Sequence, residues 1–233
     1  MTTTPSPENY PDLQKTTFTD LEYELKTPLN LIIGFSAALG EGTFLAENKE
    51  YIHKTIRSNT ALLFNMIDEI QELFLLDTKR AHLNLQAANI NELCKDAIST
   101  FTLFKTYDIQ VLFHPEYDSF YIQTDSEYLK KVISHLLSNA FKFSAKGTVV
   151  VSYEIKDQFV RFSVTDDGPG IPADKLELIF DRYIKLNPKQ KGLGLGLPIS
   201  KEIINRLGGS IYIDNEYNNG CRCIFTHPVN ITL

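Results

Sequence analysis

Two glycine clusters in the second half of the chain have the spacing of an anion-binding loop. Gly168 and Gly170 lie in V-T-D-D-G-P-G-I-P, and Gly192, Gly194 and Gly196 lie in K-G-L-G-L-G-L-P. Glycines this close together allow backbone N–H groups to approach an anion. The second cluster leads into the helical pattern L-P-I-S-K-E-I-I-N-R-L, whose N-terminus also favours negative charge. The two clusters therefore predict a cradle for nucleotide phosphates.

A helical pattern upstream of the first cluster carries side chains suited to a nucleotide and its metal ion. The segment S-H-L-L-S-N-A-F-K-F-S places Asn139 and Lys142 three residues apart, on one face of a helix. An amide oxygen is a suitable ligand for Mg²⁺, and an ammonium group suits a phosphate. The pattern therefore predicts that this helix faces the bound nucleotide.

The order of these motifs resembles the ATP-binding domain of sensor histidine kinases: Asn-x-x-Lys, then Asp-x-Gly-x-Gly, then Gly-x-Gly-x-Gly opening a helix. Near the N-terminus, L-E-Y-E-L-K-T-P-L-N looks like that family's phosphoacceptor segment, whose pattern is His-Glu-x-x-Thr/Asn-Pro. Tyr23 stands in the place of the histidine. The resemblance covers roughly residues 15 to 230.

The resemblance implies a role for each residue of the nucleotide site. Asp166 is expected to accept a hydrogen bond from the adenine amino group, although an Asp at this place commonly only caps a turn, and Asp167 is expected to form the turn. Asn139 is the expected Mg²⁺ ligand, with Lys142 on a phosphate. Phe143 is placed beside the base, or equally in the core. The implied ATP-binding residues are Asn139, Lys142, Phe143, Asp166, Gly168, Gly170, Lys185, Gly192, Gly194, Gly196 and Leu197.

The segment I-F-D-R-Y-I-K resembles the phenylalanine box of the same family. It implies that Phe180 and Tyr183 are packing residues of a lid, and that Arg182 or Lys185 contacts the γ-phosphate.

Two departures from the family pattern lie close to the expected phosphates. His135 occupies a place where these kinases usually carry Asn and the related gyrase and mismatch-repair ATPases carry a Glu that activates water. ATP hydrolysis as an end in itself is therefore not expected, and His135 is interpreted as structural rather than as a base. Leu193 stands where Thr or Ser often touches phosphate, and the lid is short. Leu193 and the short lid predict that the nucleotide binds more weakly or in a less enclosed site.

The third departure is Tyr23 itself. A free imidazole, with a pKa of about 6.5, is largely neutral and nucleophilic at pH 7, whereas a free phenol, with a pKa of about 10, is ionised only about one part in a thousand. A phenol oxygen also lies about 2 Å farther from its backbone, and a misplacement of about 1 Å can cost about 100-fold in rate. An aryl phosphate is a stable ester that would not pass its phosphoryl group to a response regulator. Autophosphorylation is therefore predicted to be lost.

Three functions remain compatible with this sequence. The preferred one is an ATP-binding, kinase-like scaffold that docks a response-regulator receiver domain or another sensor kinase. The second is a response-regulator phosphatase, because Glu24 and Thr27 are retained and the family's Thr helps to position water for dephosphorylation. The third is an ordinary autokinase core in which Tyr23 replaces a native histidine.

The composition excludes several other classes of protein. With 233 residues, 43% of them hydrophobic, the chain can bury a sizeable core. The net charge of −6, without any basic run, argues against nucleic acid or an anionic membrane surface as a partner. The polar N-terminus and the absence of a long apolar stretch predict a cytoplasmic protein without membrane contact. Cys94, Cys221 and Cys223 fit a reducing compartment, and alternation along a strand explains the latter two better than a metal site with His227.

The N-terminal part reads as two helices with heptad seams. The seam residues are Phe18, Leu21, Leu25, Pro28, Ile32, Phe35 and Leu39, then Ile52, Ile56, Asn59, Leu63, Met66, Ile70 and Leu73. Two such helices cannot form a sufficient core alone, so a homodimeric four-helix bundle is predicted. Asn59 is expected to fix the register of the seam, and Tyr23 is expected on the opposite face from Leu21 and Leu25.

The remaining chain mixes helical and strand patterns. Asn89 and Asp125 are predicted helix caps, and I-Q-V-L-F-H, T-V-V-V-S-Y-E-I, F-V-R-F-S-V-T-D-D, S-I-Y-I-D and C-R-C-I-F-T-H-P-V read as strands. Strands with helices on one side predict an α+β sandwich, the GHKL-type ATP-binding fold that the resemblance also implies. The predicted organisation is a flexible segment at 1–15, a dimerisation and phosphoacceptor-like helical hairpin at 16–80, and an ATP-binding domain at 81–233. The stretch D-T-K-R-A-H-L-N-L-Q-A-A is expected to be a polar connection.

Overall fold

The structure is a computed structural model that describes residues 18–40, 46–78, 80, 82–102, 108–144, 146–187 and 190–230. The predicted flexible segment at 1–15 lies outside these residues. The chain divides into two compact units. The hairpin unit contains Met1–Thr78 and Arg182–Leu195, and the sheet unit contains Lys79–Asp181 and Gly196–Leu233. Arg182–Leu195, here called the lid segment, groups with the hairpin although it lies within the predicted ATP-binding domain at 81–233.

The hairpin unit is built from the two predicted helices. Helix α1 spans Phe18–Gly40 and helix α2 spans Ala46–Asp77. The predicted seam of α2 is buried at its heptad positions Ile52, Asn59, Met66 and Leu73, and Pro28 is buried on α1. The amide of Asn59 donates to the carbonyl oxygen of Thr55 at 2.7 Å, so this polar group is satisfied within its own helix. The heptad pattern therefore matches the burial at these positions, and the pairing of two hairpins stays a prediction.

A second set of apolar side chains remains exposed on the same hairpin. Phe64, Ile67 and Phe74 of α2 are 63%, 47% and 56% exposed. Their spacing of three and seven residues places them on one face of the helix. Residues of this size and exposure in a row form a surface suited to a partner. The homodimer stays a prediction, and this stripe is the surface of α2 to test for it.

The sheet unit contains a five-stranded sheet with helices packed on it. The helices are α3 (Ile90–Thr102), α4 (Ser126–Phe143) and α5 (Gly196–Arg206). A small antiparallel sheet pairs β1 (Gln86–Asn89) with β3 (Tyr121–Thr124). The large sheet contains β2 (Asp108–His114), β4 (Lys146–Lys156), β5 (Phe159–Asp166), β6 (Ile211–Ile213) and β7 (Cys221–Pro228). Its order is β2-β4-β5-β7-β6, parallel between β2 and β4 and antiparallel elsewhere. The predicted α/β sandwich is confirmed.

Alternation along the strands decides which side chains enter the core. Val160, Phe162 and Val164 of β5 are buried, and the residues between them are only half-buried. The rings of Phe162 and Phe225 stack at 4.6 Å between centroids. Helix α4 contacts β4 and β5, and α5 contacts β7, so the helices cover the buried face. The core therefore lies between the sheet and these helices.

The cysteines follow the same alternation. Cys223 and His227 are buried on the core face of β7, and Cys94 is buried in α3. His227 Nε2 lies 3.0 Å from Thr124 Oγ1, so this ring is held by a hydroxyl. Among the described residues, no group of three or more His, Cys, Asp or Glu side chains has the arrangement of a metal site. These thiols act as packing residues, as their alternation predicts.

Both predicted caps in this unit are confirmed. Asn89 Oδ1 accepts a hydrogen bond from Asn91 N at 3.0 Å, and Asp125 Oδ1 accepts one from Tyr128 N at 3.1 Å. The second Asp125 oxygen accepts from Asn84 N at 2.8 Å. A cap of this kind satisfies a backbone donor that the first helical turn leaves unpaired. Asp125 thereby fixes where α4 begins, and so which face its later residues occupy.

One part of the predicted polar connection is wrong. Gln86–Asn89 forms strand β1, which pairs with β3 along four residues. Its backbone groups find partners about 35 residues farther along the chain, which the local composition does not indicate.

In the described part of the chain, no helix has the length and apolar content to cross a bilayer.

Candidate nucleotide site and phosphoacceptor position

The last turns of α4 present the predicted metal and phosphate residues. Asn139 is partly buried, whereas Lys142 and Phe143 are exposed. The Lys142 ammonium lies 5.8 Å from the centre of the Phe143 ring. Phe143 is 37% exposed, so it is not a core residue and its ring is accessible to a base. Asn139, Lys142 and Phe143 thus offer a ligand an amide oxygen, a positive charge and an aromatic ring outside the core.

Asp166 ends β5 and forms the turn that follows it. Its Oδ1 accepts a hydrogen bond from Gly168 N at 2.8 Å and lies 3.4 Å from the Ser144 hydroxyl. The prediction that Asp167 forms this turn is wrong, because Asp167 Oδ2 accepts instead from Thr148 N on the neighbouring strand at 2.8 Å. The turn therefore holds one Asp166 oxygen in place.

The Asp166 carboxyl lies in an unusual electrostatic environment. Burial raises its pKa above the ordinary value, while the backbone N–H of Gly168, the Ser144 hydroxyl and the backbone N–H of Cys221 oppose that rise. The side chain is 6% exposed. A buried carboxyl that is fixed by backbone donors is suited to a directed hydrogen bond with an amino group. This geometry fits the adenine contact that the sequence resemblance implies.

The glycines of the first cluster are required by close backbone contacts. A Cβ on Gly168 would lie 2.6 Å from Asp166 Oδ1 and 3.3 Å from the Phe143 carbonyl oxygen. Gly170 has a φ of 72°, and a Cβ there would lie 2.9 Å from the Gly220 carbonyl oxygen. The end of α4 and the glycine turn are therefore in direct contact.

The start of α5 is held against α4 by His135. His135 Nδ1 lies 3.1 Å from Ser200 Oγ, and the Ser200 hydroxyl donates to the Gly196 carbonyl oxygen at 2.8 Å. A Cβ on Gly196 would lie 3.6 Å from His135 Cγ. Burial lowers the pKa of His135 to about 4, with the positive charge of Lys131 acting in the same direction and a hydrogen bond to the Gly196 backbone opposing it. The ring is therefore neutral at pH 7 and joins the two helices, which agrees with a structural role.

The sheet unit thus brings together most of the residues that the sequence assigns to ATP. Helix α4 carries Asn139 and Lys142, meets the glycine turn through Phe143 and Ser144, and meets the first turn of α5 through His135. Leu197 lies partly buried in that first turn.

Gly192, Gly194 and Lys185 lie in the lid segment of the hairpin unit. Gly194 has a φ of 70°, and a Cβ there would lie 2.7 Å from the Ile184 carbonyl oxygen. Tyr183 N donates to the Gly194 carbonyl oxygen at 3.1 Å, so the two ends of the segment meet. Leu193 is 1% exposed and acts as an apolar packing residue at the place where the family often has a hydroxyl.

The phosphoacceptor position is on the surface of α1. Tyr23 is 70% exposed, as predicted from its place opposite the seam. The Thr27 hydroxyl donates to the Tyr23 carbonyl oxygen at 2.8 Å, one helical turn away. Tyr23 and Thr27 are both exposed and separated by four residues, so they share one face of the helix.

The neighbouring Glu24 is engaged by the lid segment. Its carboxylate forms an ion pair with the Lys185 ammonium, and the two side chains are 21% and 13% exposed. Lys185 Nζ also donates to the Gln190 carbonyl oxygen at 3.2 Å. Arg182 or Lys185 was expected at the γ-phosphate, and in this structure the Lys185 ammonium pairs with the carboxylate beside the phosphoacceptor position.

A second ion pair fastens the other end of the hairpin to the lid segment. Arg182 Nη1 and Nη2 donate to the two carboxylate oxygens of Asp77 at 2.8 and 2.5 Å. This bidentate geometry is the strongest hydrogen-bonded arrangement of a guanidinium and a carboxylate. The two pairs give the physical reason why the lid segment groups with the hairpin.

Sequence reasoning did not single out three residues that support the site. Ser144 and Ser200 bond to Asp166 and Gly196, and Gly220 contacts the backbone of both Asp166 and Gly170. Gly220 follows two asparagines, which is a turn signal, but the signal does not tell which strand end the turn touches. The serines carry no local signal for these contacts.

Comparison with known proteins agrees with this arrangement. Residues 124–231 match the family described as histidine kinase-, DNA gyrase B-, and HSP90-like ATPase. The chain is 27% identical over 219 residues to the sensor histidine kinase WalK of Bacillus subtilis (strain 168), covering 90% of this chain and 36% of WalK. The chain contains the catalytic core of a sensor histidine kinase.

Two solved structures of this kind have the same fold over most of the chain. ShkA, full-length and in complex with AMPPNP, superposes with a TM-score of 0.69 at 25% identity, covering 90% of this chain and 45% of ShkA. The histidine kinase ThkA in complex with the response regulator protein TrrA gives a TM-score of 0.70 at 26% identity, covering 91% of this chain and 60% of ThkA. The chain therefore spans less than two thirds of the length of each of these three relatives.

Proposed function

We propose that this sensor-kinase core binds ATP with Mg²⁺ but does not phosphorylate itself, and that it acts as a scaffold or regulator in two-component signalling. The observation that carries the proposal is Tyr23, an exposed tyrosine at the phosphoacceptor position of a chain that retains the nucleotide-binding motifs. A phenol is a poor nucleophile at neutral pH compared with an imidazole. The chain thus retains nucleotide binding without an effective acceptor.

The nucleotide side of the proposal rests on the geometry of the sheet unit. Asn139 would supply the amide oxygen to Mg²⁺, Lys142 the charge to a phosphate, and Asp166 the acceptor for the adenine amino group. Asp166 has one oxygen held by Gly168 N, which leaves the carboxyl oriented. The glycines at 168 and 170 let this turn pack closely against Asp166 and Gly220, which holds the Asp166 carboxyl in place. These residues fit a bound nucleotide.

The part of the proposal that concerns protein partners rests on the hairpin unit. The proposed partner is a response-regulator receiver domain or a second sensor kinase, and the chain itself is proposed to form a homodimer in the cytoplasm. The exposed stripe of Phe64, Ile67 and Phe74 supports self-association. ThkA, one of the structural relatives, is seen with a response regulator protein, which supports the first class of partner.

Isothermal titration with ATP and Mg²⁺ tests the nucleotide part. We expect saturable binding that Asn139→Ala and Asp166→Asn each weaken at least about tenfold, a loss of about 1.4 kcal/mol. The matched control is Asn205→Ala, which removes an exposed amide near the C-terminal end of α5. Absence of binding at millimolar ATP, or equal losses in all three variants, would remove the basis of the proposal.

A response-regulator phosphatase is the second candidate, favoured by one observation. Thr27 is exposed and lies one helical turn from Tyr23. This is the face of α1 that the aspartyl phosphate of a response regulator would approach. This reaction needs a positioned water rather than a nucleophilic histidine. Incubation with a phosphorylated receiver domain separates the two candidates. Faster dephosphorylation with the wild-type chain than with Thr27→Ala supports the phosphatase, and identical rates exclude it.

A further inference from the structure

The face of the five-stranded sheet that points away from the helices has short side chains in its middle. Ser152 on β4 faces Ser163 on β5, with their hydroxyl oxygens 2.8 Å apart, and Thr165 lies one position farther along the same face. Longer side chains stand at the two ends of these rows, among them Arg161 and Arg222. Short residues between long ones produce a hollow in the sheet surface.

The hollow is a cavity of about 630 Å³ lined by these residues. Its floor includes Ser152, Ser163 and Thr165, and the buried side chain of Ile224 lies beside them. This volume lies within the range of about 300–1,000 Å³ that small-molecule sites occupy in proteins. None of Asn139, Lys142 and Asp166 lines it, so it is separate from the candidate nucleotide site.

Arg222 at one end of the hollow is held in a fixed orientation. Its guanidinium carbon lies 4.2 Å from the centre of the Tyr217 ring, and its Nε donates to Thr165 Oγ1 at 3.3 Å. Its Nη1 reaches Asp214 Oδ2 only at 3.4 Å, and the other Asp214 oxygen accepts from Glu216 N at 3.1 Å. Nη2 has no hydrogen-bond partner among the described residues. A guanidinium stacked on a ring and incompletely paired is prepared for an oxyanion.

Arg161 provides a second guanidinium at the opposite end. It donates through Nη1 alone to Glu154 Oε1 at 3.2 Å, and Glu154 is 57% exposed. Such a solvent-exposed pair contributes little, so another anion can replace Glu154. Arg222 pairs in register with Thr165, four residues from Arg161 along β5, so the two arginine backbones lie about 13 Å apart along the strand. Two cationic groups with hydroxyls between them define a site for a ligand that carries an anionic group at each end.

We propose that this hollow binds a small organic or inorganic polyanion, with one carboxylate or phosphate group on Arg222 and another on Arg161, and with the serine hydroxyls between them. Guanidinium groups recognise both kinds of oxyanion through paired N–H donors. All residues of the site belong to the sheet unit, and the site does not depend on ATP binding. It therefore gives this unit a second ligand-binding site.

Calorimetric titration with citrate and with tripolyphosphate tests the site and separates a carboxylate ligand from a phosphate ligand. The titrations use the full chain carrying Asn139→Ala in buffer without Mg²⁺, which weakens the binding of tripolyphosphate at the nucleotide site. We expect saturable binding of at least one probe below about 1 mM. Arg222→Gln or Arg161→Gln should weaken it at least about tenfold. Lys156→Gln, which removes an exposed positive charge at the end of β4 outside the hollow, should leave it unchanged.

Two results would overturn the proposal. One is the absence of saturable binding of either probe up to about 10 mM, where nonspecific charge effects dominate. The other is equal weakening by Lys156→Gln and by the two arginine variants, which would show attraction to net charge only. The folding of each arginine variant is checked by its ATP affinity with Asn139 restored, since a locally misfolded sheet would lose that as well.

Discussion

Lys185 and Glu24 lie 161 residues apart in the sequence and form an ion pair inside the hairpin unit. Glu24 follows the phosphoacceptor position directly, and Lys185 is one of the two lid residues, with Arg182, that the sequence resemblance offers as a γ-phosphate contact. Both side chains are largely buried, so their attraction is screened less than that of a surface pair. The Lys185 ammonium of the lid is thus paired with a carboxylate of the phosphoacceptor segment in this structure.

Replacing Glu24 by Gln should loosen the lid segment. The change removes the ion pair with Lys185 and leaves the pair between Arg182 and Asp77 intact. We expect amide hydrogen exchange within residues 182–195 to accelerate roughly tenfold, which corresponds to about 1.4 kcal/mol. Glu22→Gln is the control, because Glu22 pairs with the exposed Lys26 of its own helix. Equal exchange rates in both variants would show that the Glu24 pair does not restrain the lid.

Replacing Tyr23 by His should restore a phosphoacceptor. In labelled ATP, an N–P bond would form on the imidazole as the bond from the γ-phosphorus to the bridging oxygen breaks and ADP leaves. We expect weak acid-labile, base-stable label on the variant and none on the wild type. Tyr51→His, a histidine at another exposed tyrosine of the hairpin, is the control. Acid-stable label on wild-type Tyr23 would contradict the proposed loss of autophosphorylation, and an inert variant would place the defect in the lid or at His135.

Replacing Phe64 by Glu should abolish self-association. The residue is 63% exposed in the single chain, so a charge there leaves the hairpin's own packing intact but disrupts an apolar interface. Light scattering at micromolar concentration should report a dimer for the wild type and a monomer for the variant. Asn65→Glu adds the same charge at the next residue, about 100° around the helix, and should remain dimeric. A monomeric wild type would end the bundle hypothesis.

His135 should make the stability of the chain depend on pH. Its pKa is lowered from 6.5 to about 4 in the folded state, so the unfolded state binds more protons between these values. The free energy of unfolding is therefore highest above about pH 6.5 and falls as the pH decreases towards 4. Urea unfolding should show that the wild type loses about 2 kcal/mol more than His135→Asn between pH 7 and pH 5. His227 is present in both proteins, so its contribution cancels. Parallel losses would exclude this account of the His135 environment.

Replacing Gly220 by Ala should damage the adenine side of the site. Gly220 has a φ of 137°, and a Cβ there would lie 1.9 Å from the Asp166 carbonyl oxygen. We expect a loss of at least about 2 kcal/mol in unfolding free energy, together with weaker ATP binding. Gly34→Ala makes the same change in α1, where nothing lies within 4 Å, and should stabilise the hairpin by about 0.5–1 kcal/mol. Normal stability of Gly220→Ala would show that the turn can move freely.

Local patterns predicted most of the framework because they depend on neighbours in sequence. The heptad spacing of α2 identified Ile52, Asn59, Met66 and Leu73 as buried, and strand alternation identified the core face of β5 and β7. Asn89 and Asp125 were recognisable as caps because a cap acts within three residues. The site glycines were recognisable for a similar reason, since a Cβ at Gly168 would meet Asp166, only two residues away.

Contacts between distant segments escaped this reasoning. Strand β1 is short and contains Ala87 and Ala88, so nothing in its composition predicts pairing with Tyr121–Thr124. The pairing of Glu24 with Lys185 depends on how the lid folds onto the hairpin, which no local spacing encodes. The choice between Asp166 and Asp167 as the turn residue was decided by Thr148, which belongs to the adjacent strand.

The grouping of the lid segment with the hairpin affects what an isolated ATP-binding fragment would measure. A polypeptide beginning at Lys79 would lack Glu24 and Asp77, so Lys185 and Arg182 would lose the carboxylates that hold them. These two lid side chains would then lack their carboxylate partners on the hairpin. Nucleotide affinities from such a fragment would describe an untethered lid, and the difference from the intact chain would measure the energetic cost of releasing the lid from the hairpin.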